Sequence, residues 1–226
     1  MLERAGRLLS VNLAVTRMST AEGVGVTGID KQPTPGLVSV RAPGPRLTGL
    51  GSGLVGDRTL DMTHHGGDDQ AVYAYAREDL DEWQRELGRD LPSGVFGENL
   101  TTEGVDVTAA RVGERWLVGD EVLLQVTVPR IPCSTFAAWM VEQQWVKRFT
   151  VRAKPGTYLR VVQGGQIRAG QPIRVVHRPD HDVTVGLTFR ALTREPELLE
   201  KLVDVEELPE HVRQKARRRI AGVPVE

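Results

Sequence analysis

The 226-residue sequence predicts a turn-rich, mainly β fold with inserted helices and a small helical appendage near its C-terminal end. Three observations predict it. Glycine (24) and proline (13) are frequent enough to punctuate many short strands, which points away from a helix bundle. Apolar residues alternate at several places between residues 7 and 177, as strands require. After Asp182 the pattern changes to three short helical periods. A hydrophobic share of 40% and a charged share of 26% are those of an ordinary globular chain, long enough to bury a core without a disulfide framework.

Taken in order, Arg7 to Val15 and Leu37 to Arg41 read as strands either side of a Pro/Gly-rich loop, and a third short strand is expected over Leu54 to Leu60, broken by a turn at Gly56-Asp57. From Gln70 to Leu87, Val72, Ala76, Leu80, Trp83 and Leu87 recur at spacings of three and four and predict an amphipathic helix, capped by Asp68 or Asp69 and ended by Gly88. Arg115 to Val118 and Val122 to Val128 predict a hairpin turning at Gly119-Asp120. That hairpin leads into Pro129-Arg130-Ile131-Pro132-Cys133, after which helices are expected over Ser134 to Gln143 and around Trp145 to Phe149. Strands over Thr157 to Val162 and Pro172 to His177 flank a Gly164-Gly165 turn. The tail predicts helices over Leu187 to Thr193, Pro196 to Val203 and Pro209 to Ala221, with prolines suited to first helical positions and Gly222 as a stop.

The 29 Lys and Arg nearly cancel the 30 Asp and Glu, so the overall charge offers no argument for a nucleic acid or membrane partner, and neither is expected. The basic run Arg213, Lys215, Arg217, Arg218, Arg219 reads as a solvated helix end favoured by the helix dipole. No signal peptide or spanning segment is read, and a single Cys excludes an internal disulfide, which suits a cytoplasmic location. Neither a phosphate-binding Gly-rich loop with Lys-Ser/Thr, nor Gly-x-Gly-x-x-Gly, nor Gly-x-Ser-x-Gly is present, so nucleotide-dependent dehydrogenase, kinase and serine hydrolase readings lapse.

Three segments carry candidate chemistry. Cys133 follows two prolines and Arg130 where a strand gives way to a helix; a helix start and a guanidinium both favour thiolate, although a lone Cys also serves as a small buried hydrophobe. Pro129 would interrupt a sheet ladder and suggests a sheet edge or barrel rim. His64-His65-Gly66-Gly67-Asp68-Asp69 can approach a ligand closely through its glycines, or can be a capped helix start; the adjacent histidines lack the spaced pairs of a structural zinc site. Phe96-Gly97-Glu98-Asn99-Leu100-Thr101 offers Glu98 as an acid or base and Asn99 as a bifunctional hydrogen-bonding group, or is a turn built on Gly97 and Asn99.

In sequence order, Gly56-Asp57, Asp61, His65-Gly66-Gly67-Asp68, Ala71-Val72-Tyr73-Ala74-Tyr75, Trp83, Phe96-Gly97-Glu98-Asn99-Leu100-Thr101, Gly119-Asp120 and Pro129-Arg130-x-Pro-Cys133 together resemble a MOSC domain; from about residue 7 to 177 they closely resemble the bacterial YiiM-like branch, and the tail after Asp182 resembles the three-helix domain of that branch. The resemblance implies a β-barrel over 1–178 and a helical domain over 179–226. It implies a molybdenum cofactor (molybdopterin) held in a polar pocket, with Cys133 as molybdenum ligand, and reduction of N-hydroxylated substrates such as hydroxylaminopurine-type bases and amidoximes. By the same resemblance Cys133, His65 and Glu98 are catalytic, Arg130, Asn99, Gly66, Gly67 and Phe96 line the cofactor pocket, and Lys31, Arg41 and Arg58 are candidates for the cofactor phosphate. A family-level association with pyridoxal phosphate binding comes with it. The physical reading agrees, because a soft thiolate suits such a metal and the N-OH reduction needs a proton donor, Glu98 or His65.

No flavin or iron-sulfur motif is visible, so electrons are expected from a partner reductase, and the helical tail makes a homodimer plausible. A different class of function is a carrier of sulfur or of the cofactor, using Cys133 as a persulfide site; a third is a cysteine hydrolase using Cys133, His65 and Glu98.

Overall fold

The structure is a computed structural model that describes residues 6–223. Residues 1–5 and 224–226, the ends of the two expected domains, lie outside the described residues, and with them most of the opening segment read as leaderless.

The strands are β1 (Gly6–Ala14), β2 (Arg17–Met18), β3 (Val26–Thr27), β4 (Lys31–Pro33), β5 (Val38–Val40), β6 (Val72–Ala76), β7 (Leu100–Glu103), β8 (Arg115–Val118), β9 (Val122–Pro129), β10 (Thr157–Gln163), β11 (Gly165–Ile167) and β12 (Pro172–His177). Among the described residues seven of them close into a barrel in the order β12-β8-β9-β10-β6-β7-β1, with β1 also pairing β12 to complete the ring. Every pair in the ring is antiparallel except β6 with β7, where Ala74 stands opposite Leu100 in parallel register. Strand β4 extends the sheet from β1, while β2 pairs β3 and β5 pairs β11 outside the barrel. Leu8, Val11, Val72, Leu124, Val126 and Leu159 belong to an aliphatic interior.

Side chains of a strand alternate between its faces, so β6 presents Val72, Ala74 and Ala76 to that interior and Tyr73 and Tyr75 to the other side. There the two tyrosines join Trp83, Phe96, Phe136, Trp145 and Phe149 in an aromatic cluster roofed by α1 (Arg77–Leu87), α2 (Ser134–Met140) and α3 (Trp145–Arg152). A third cluster packs α4 (Val185–Thr193), a 3-10 segment (Pro196–Leu202) and α5 (Glu210–Ile220) against Val112 of the turn before β8 and Val128 of β9.

The expected helix over Gln70 to Leu87 is corrected in its first half: Val72–Ala76 is a barrel strand, preceded by a 3-10 turn at Asp68–Gln70, and the helix begins at Arg77. All five strand residues are buried. Burying one large apolar side chain stabilises by about 1.5–3 kcal/mol, whereas helix propensities among such residues differ by only about 0.7 kcal/mol or less, so tertiary packing decides. Gly88 does end the helix, with a left-handed φ of 63° and its N–H on the Gln84 carbonyl. The strand expected over Leu54 to Leu60 is also absent; Leu54 makes one isolated bridge to Val40, and the chain then turns to bury the Asp57 side chain. Leu100–Glu103 is a barrel strand where the sequence showed a polar loop, and Gly165 opens β11 rather than completing a turn.

Candidate active site

A cavity of about 130 Å³ lies on the face of the barrel wall opposite the aliphatic interior, and it collects residues far apart in sequence: Lys31, Asp57, His65, Asn99, Arg130 and Cys133 all line it. Tyr73 of β6 and Tyr158 of β10 form part of its wall. A larger open groove of about 760 Å³ lies elsewhere, between α1, the turn at 104–109 and α4. It contains none of the candidate residues, and Lys154 there is bound by Asp79 and Glu82.

Cys133 is the residue before the first turn of α2 and is half-buried. Burial pushes its thiol up, but the His65 imidazole, the Arg130 guanidinium and the Phe136 backbone N–H outweigh burial and bring its pKa down to about 6. The thiolate therefore predominates at neutral pH. His65 reaches the cavity from a turn in which its N–H bonds the Asp61 carbonyl at 3.0 Å. His64 points away: its ring is 74% exposed and lies 2.9 Å from the Asp61 carboxylate. The doublet thus contributes one ring to the cavity, the one preceding Gly66-Gly67.

Both glycines have left-handed φ angles, 82° and 81°. A Cβ on Gly66 would stand 2.9 Å from the Gly51 carbonyl oxygen, and one on Gly67 would press on the Arg46 backbone at 2.9 Å. Gly66 lines the cavity; Gly67 secures the turn behind it.

Arg130, 7% exposed, stacks its guanidinium over the Phe136 ring at 4.1 Å and the Tyr73 ring at 5.1 Å and donates to the Phe96 carbonyl. Pro129 ends β9, so the expected rim position fits. Asn99 is satisfied on both sides: its Oδ1 accepts from the Tyr73 N–H at 3.1 Å, and its Nδ2 donates to Asp57 at 2.8 Å and to the Asn12 carbonyl at 3.3 Å.

Asp57, read from sequence as part of a turn, is the hub of this region. Its carboxylate accepts from Lys31 Nζ at 2.6 and 2.7 Å, from the Ser52 hydroxyl at 2.7 Å, from Asn99 and from the Ala14 N–H at 2.8 Å. Burial alone would raise its pKa; Lys31, Ser52 and Asn99 more than offset that and hold it below the usual carboxylate range. Arg58 stands exposed at the cavity mouth.

Four of the expected residues, Gly67 among them, are not lining residues. Glu98 does not line the cavity: one carboxylate oxygen accepts from the Gly94 N–H at 2.5 Å and the Thr101 hydroxyl at 2.9 Å, the other from the Phe96 N–H at 3.0 Å. Burial raises its pKa, yet both oxygens are committed to folding its own loop. The Phe96 ring is fully buried in the aromatic cluster, so only its carbonyl serves the site, by holding Arg130. Arg41 is likewise not a lining residue; it donates to the carbonyl of Ser52 at 3.0 Å and supports a residue that is. Sequence reasoning missed Asp57, Tyr73, Tyr158 and Gln70 as lining residues. For Tyr73 and Tyr158 the alternation along β6 and β10 was the available signal.

A family model for the MOSC domain matches residues 61–174, about half of the chain, and spans the turn of His65, the loop of Asn99 and Cys133. The chain belongs to the MOSC domain family. This MOSC chain is 29% identical to YflK of Bacillus subtilis (strain 168) over 81% of its own length and 79% of that protein. It is 33% identical to YiiM of Escherichia coli (strain K12) over 59% of its length and 60% of YiiM. A protein named Reductase from Gibberella moniliformis (strain M3125 / FGSC 7600) matches at 27% identity over 91% of the chain, which spans only 36% of that longer protein. Among solved structures, YiiM from Geobacillus stearothermophilus superimposes with a TM-score of 0.75 at 27% identity, covering 95% of this chain and 98% of that one. MOSC domains are associated as a family with molybdenum cofactor binding. Among the described residues no helix is long and apolar enough to cross a membrane.

Proposed function

We propose that the chain is a molybdenum-cofactor-dependent reductase of N-hydroxylated compounds, hydroxylaminopurine-type bases and amidoximes among them, with Cys133 as the protein's ligand to molybdenum. One observation carries the reading: the chain's sole sulfhydryl opens into a cavity beside His65 and Arg130, and its pKa falls to about 6. A thiolate that exists at neutral pH is the soft donor such a metal requires.

The residues present fit the cofactor. Arg58 supplies positive charge toward a phosphate, with the Lys31 charge already taken up by Asp57, Gly66 lets backbone approach closely, and Asn99 and Arg130 hold the wall rigid. When bound, the cofactor supplies the electron-transfer chemistry.

Converting N-OH to N-H consumes two electrons and two protons and releases water. The electrons come from a separate reductase protein, and the protein's own contribution is position and protons. His65 is the lining group suited to hold a proton for the departing oxygen, since the Glu98 carboxylate is spent within its loop. Arg130, always charged, keeps the thiolate ionised while its stacking on two rings fixes its place. The reading has the protein act in the cytoplasm on small molecules.

The test is molybdenum and pterin content of protein made in a cofactor-competent host, beside Cys133→Ala, with turnover measured using an artificial electron donor. The expected result is metal and reduction of amidoximes in the wild type and loss of both in the variant. Loaded protein that reduces no N-hydroxylated compound would sink the reading; a stable gain of one sulfur on Cys133 without turnover would mark a sulfur carrier instead.

A further inference from the structure

Three of the ionisable groups deep in the cavity already have partners within the chain: Lys31 holds Asp57, Arg130 holds the Phe96 carbonyl, and His65 stands against Cys133. Gln70 and Tyr158, neutral groups on the same wall, do not. Gln70 lines the cavity, yet its Oε1 is sealed from solvent and accepts no hydrogen bond, and its Nε2 donates none. Tyr158 also lines the cavity, and its hydroxyl has no hydrogen-bond partner among the described residues. A carboxamide oxygen that has lost water and gained nothing is rare in native chains and asks for a ligand or a bound water to complete it.

Oε1 is covered as the side chain stands, and a turn of the carboxamide would bring it to the cavity that Gln70 lines. Gln70 closes the 3-10 turn Asp68–Gln70, its N–H bonds the Gly67 carbonyl at 3.0 Å, and neighbouring Asp69 is tied to Arg160 of β10. The backbone under the side chain is therefore fixed, while the terminal torsion of a carboxamide is soft. A carboxamide offers a donor and an acceptor in one plane, the complement of an N–H beside a ring nitrogen. Phosphate or carboxylate offers only acceptors and would leave Oε1 unmet; a hydrocarbon would leave both atoms unmet.

Resting on the function proposed above, we infer that Gln70, assisted by Tyr158, determines specificity by reading the amino and ring-nitrogen edge of a nitrogen heterocycle bound beside Cys133. Two sources share this chemistry, the aminopurine-type base of a substrate and the pterin of the cofactor, and the experiment separates them.

Cofactor-free wild type, Gln70→Leu, Gln70→Glu and Tyr158→Phe are titrated with adenine by calorimetry. The same proteins, loaded with cofactor, are assayed with N-hydroxylaminopurine and with benzamidoxime, which lacks the heterocycle, and their pterin content is measured. If the substrate is read, Gln70→Leu weakens adenine binding and raises KM for N-hydroxylaminopurine by about tenfold or more, leaves kcat nearly unchanged and leaves benzamidoxime kinetics untouched. If the pterin is read, Gln70→Leu lowers pterin retention while adenine binding matches wild type. Because the side chain makes no bond in the folded chain, Gln70→Leu melts no lower than wild type, so a loss of binding is not a loss of fold. Wild-type values for adenine binding, for the ratio between the two substrates and for pterin retention in every variant would overturn the inference and leave Gln70 a hydrated bystander. Gln70-dependent adenine binding in a protein that reduces nothing would overturn the proposed function and leave this inference standing.

Discussion

Along one stretch of the cavity wall, Lys31, Asp57, Ser52 and Asn99 bind one another with every Asp57 oxygen and both ends of the Asn99 carboxamide occupied. Along another, Cys133 and His65 face each other across the cavity, and Gln70 and Tyr158 stand beside them with polar atoms that the chain itself leaves without a hydrogen bond. The first stretch stores geometry and the second is available for chemistry. Substitutions should separate them: the first should cost stability, the second function with the fold retained.

The largest effect on stability is expected at Asp57. Asp57→Ala removes the acceptor of the buried Lys31 ammonium and of three other donors. Stranding a buried charge costs about 3–5 kcal/mol, which thermal unfolding would read as a fall of roughly 6–20 °C in Tm for a chain of this size. Adding Lys31→Met should recover part of that loss. A Tm within a degree or so of wild type for Asp57→Ala would erase the distinction between the two stretches.

Next comes Glu98→Gln. The new amide must turn its N–H groups toward the N–H of Gly94 or of Phe96, so one buried donor goes unmet. The expected cost is about 1–3 kcal/mol, visible by denaturant titration, and cofactor-loaded protein should keep most of its kcat. Loss of kcat at unchanged stability would return Glu98 to the chemistry.

The smallest effect sharpens the second stretch. Alkylation of cofactor-free protein reads the thiolate, so its rate should rise with pH around a midpoint near 6 in the wild type. His65→Ala removes a group that holds that midpoint down, so the midpoint moves upward and the rate at pH 7 falls a few-fold. An unmoved midpoint would assign the low pKa to Arg130 and the Phe136 N–H instead.

Much of this architecture was legible before any coordinates. The hairpin of β8 and β9, strands β1 and β12 and the helical character of the tail follow from period and turn chemistry that local sequence displays, although Pro196–Leu202 winds as a 3-10 segment. Strand β6 was misread because it is buried on both faces: Val72 and Ala76 fall at a helical spacing, and no polar alternation marks the strand. At the site, Cys133, His65, Arg130 and Asn99 were legible because their residue types announce chemistry. Glu98 shows the limit of that reasoning, since a carboxylate in a Gly-rich loop looks the same in sequence whether it faces a ligand or its own backbone. Asp57 shows the converse. Its partners Lys31, Ser52 and Asn99 come from three other segments, and only long-range pairing reveals that a turn residue is a hub.

The ring closure of the barrel has a consequence for how the protein comes to exist. Strand β1 leaves the ribosome first, yet it is the seam: it pairs β7 at Arg7–Leu8 and Ser10–Val11 and meets β12 only at Gly6–Arg7. The circle cannot shut until residue 177 has been synthesised, and contacts so distant in sequence form slowly because the loop they close is long. During that interval β1 and β8 present unsatisfied edges, the surfaces on which nascent sheets of neighbouring chains stick to one another. Yield of folded protein should therefore depend on synthesis speed and chaperone supply more than the stability of the finished barrel suggests.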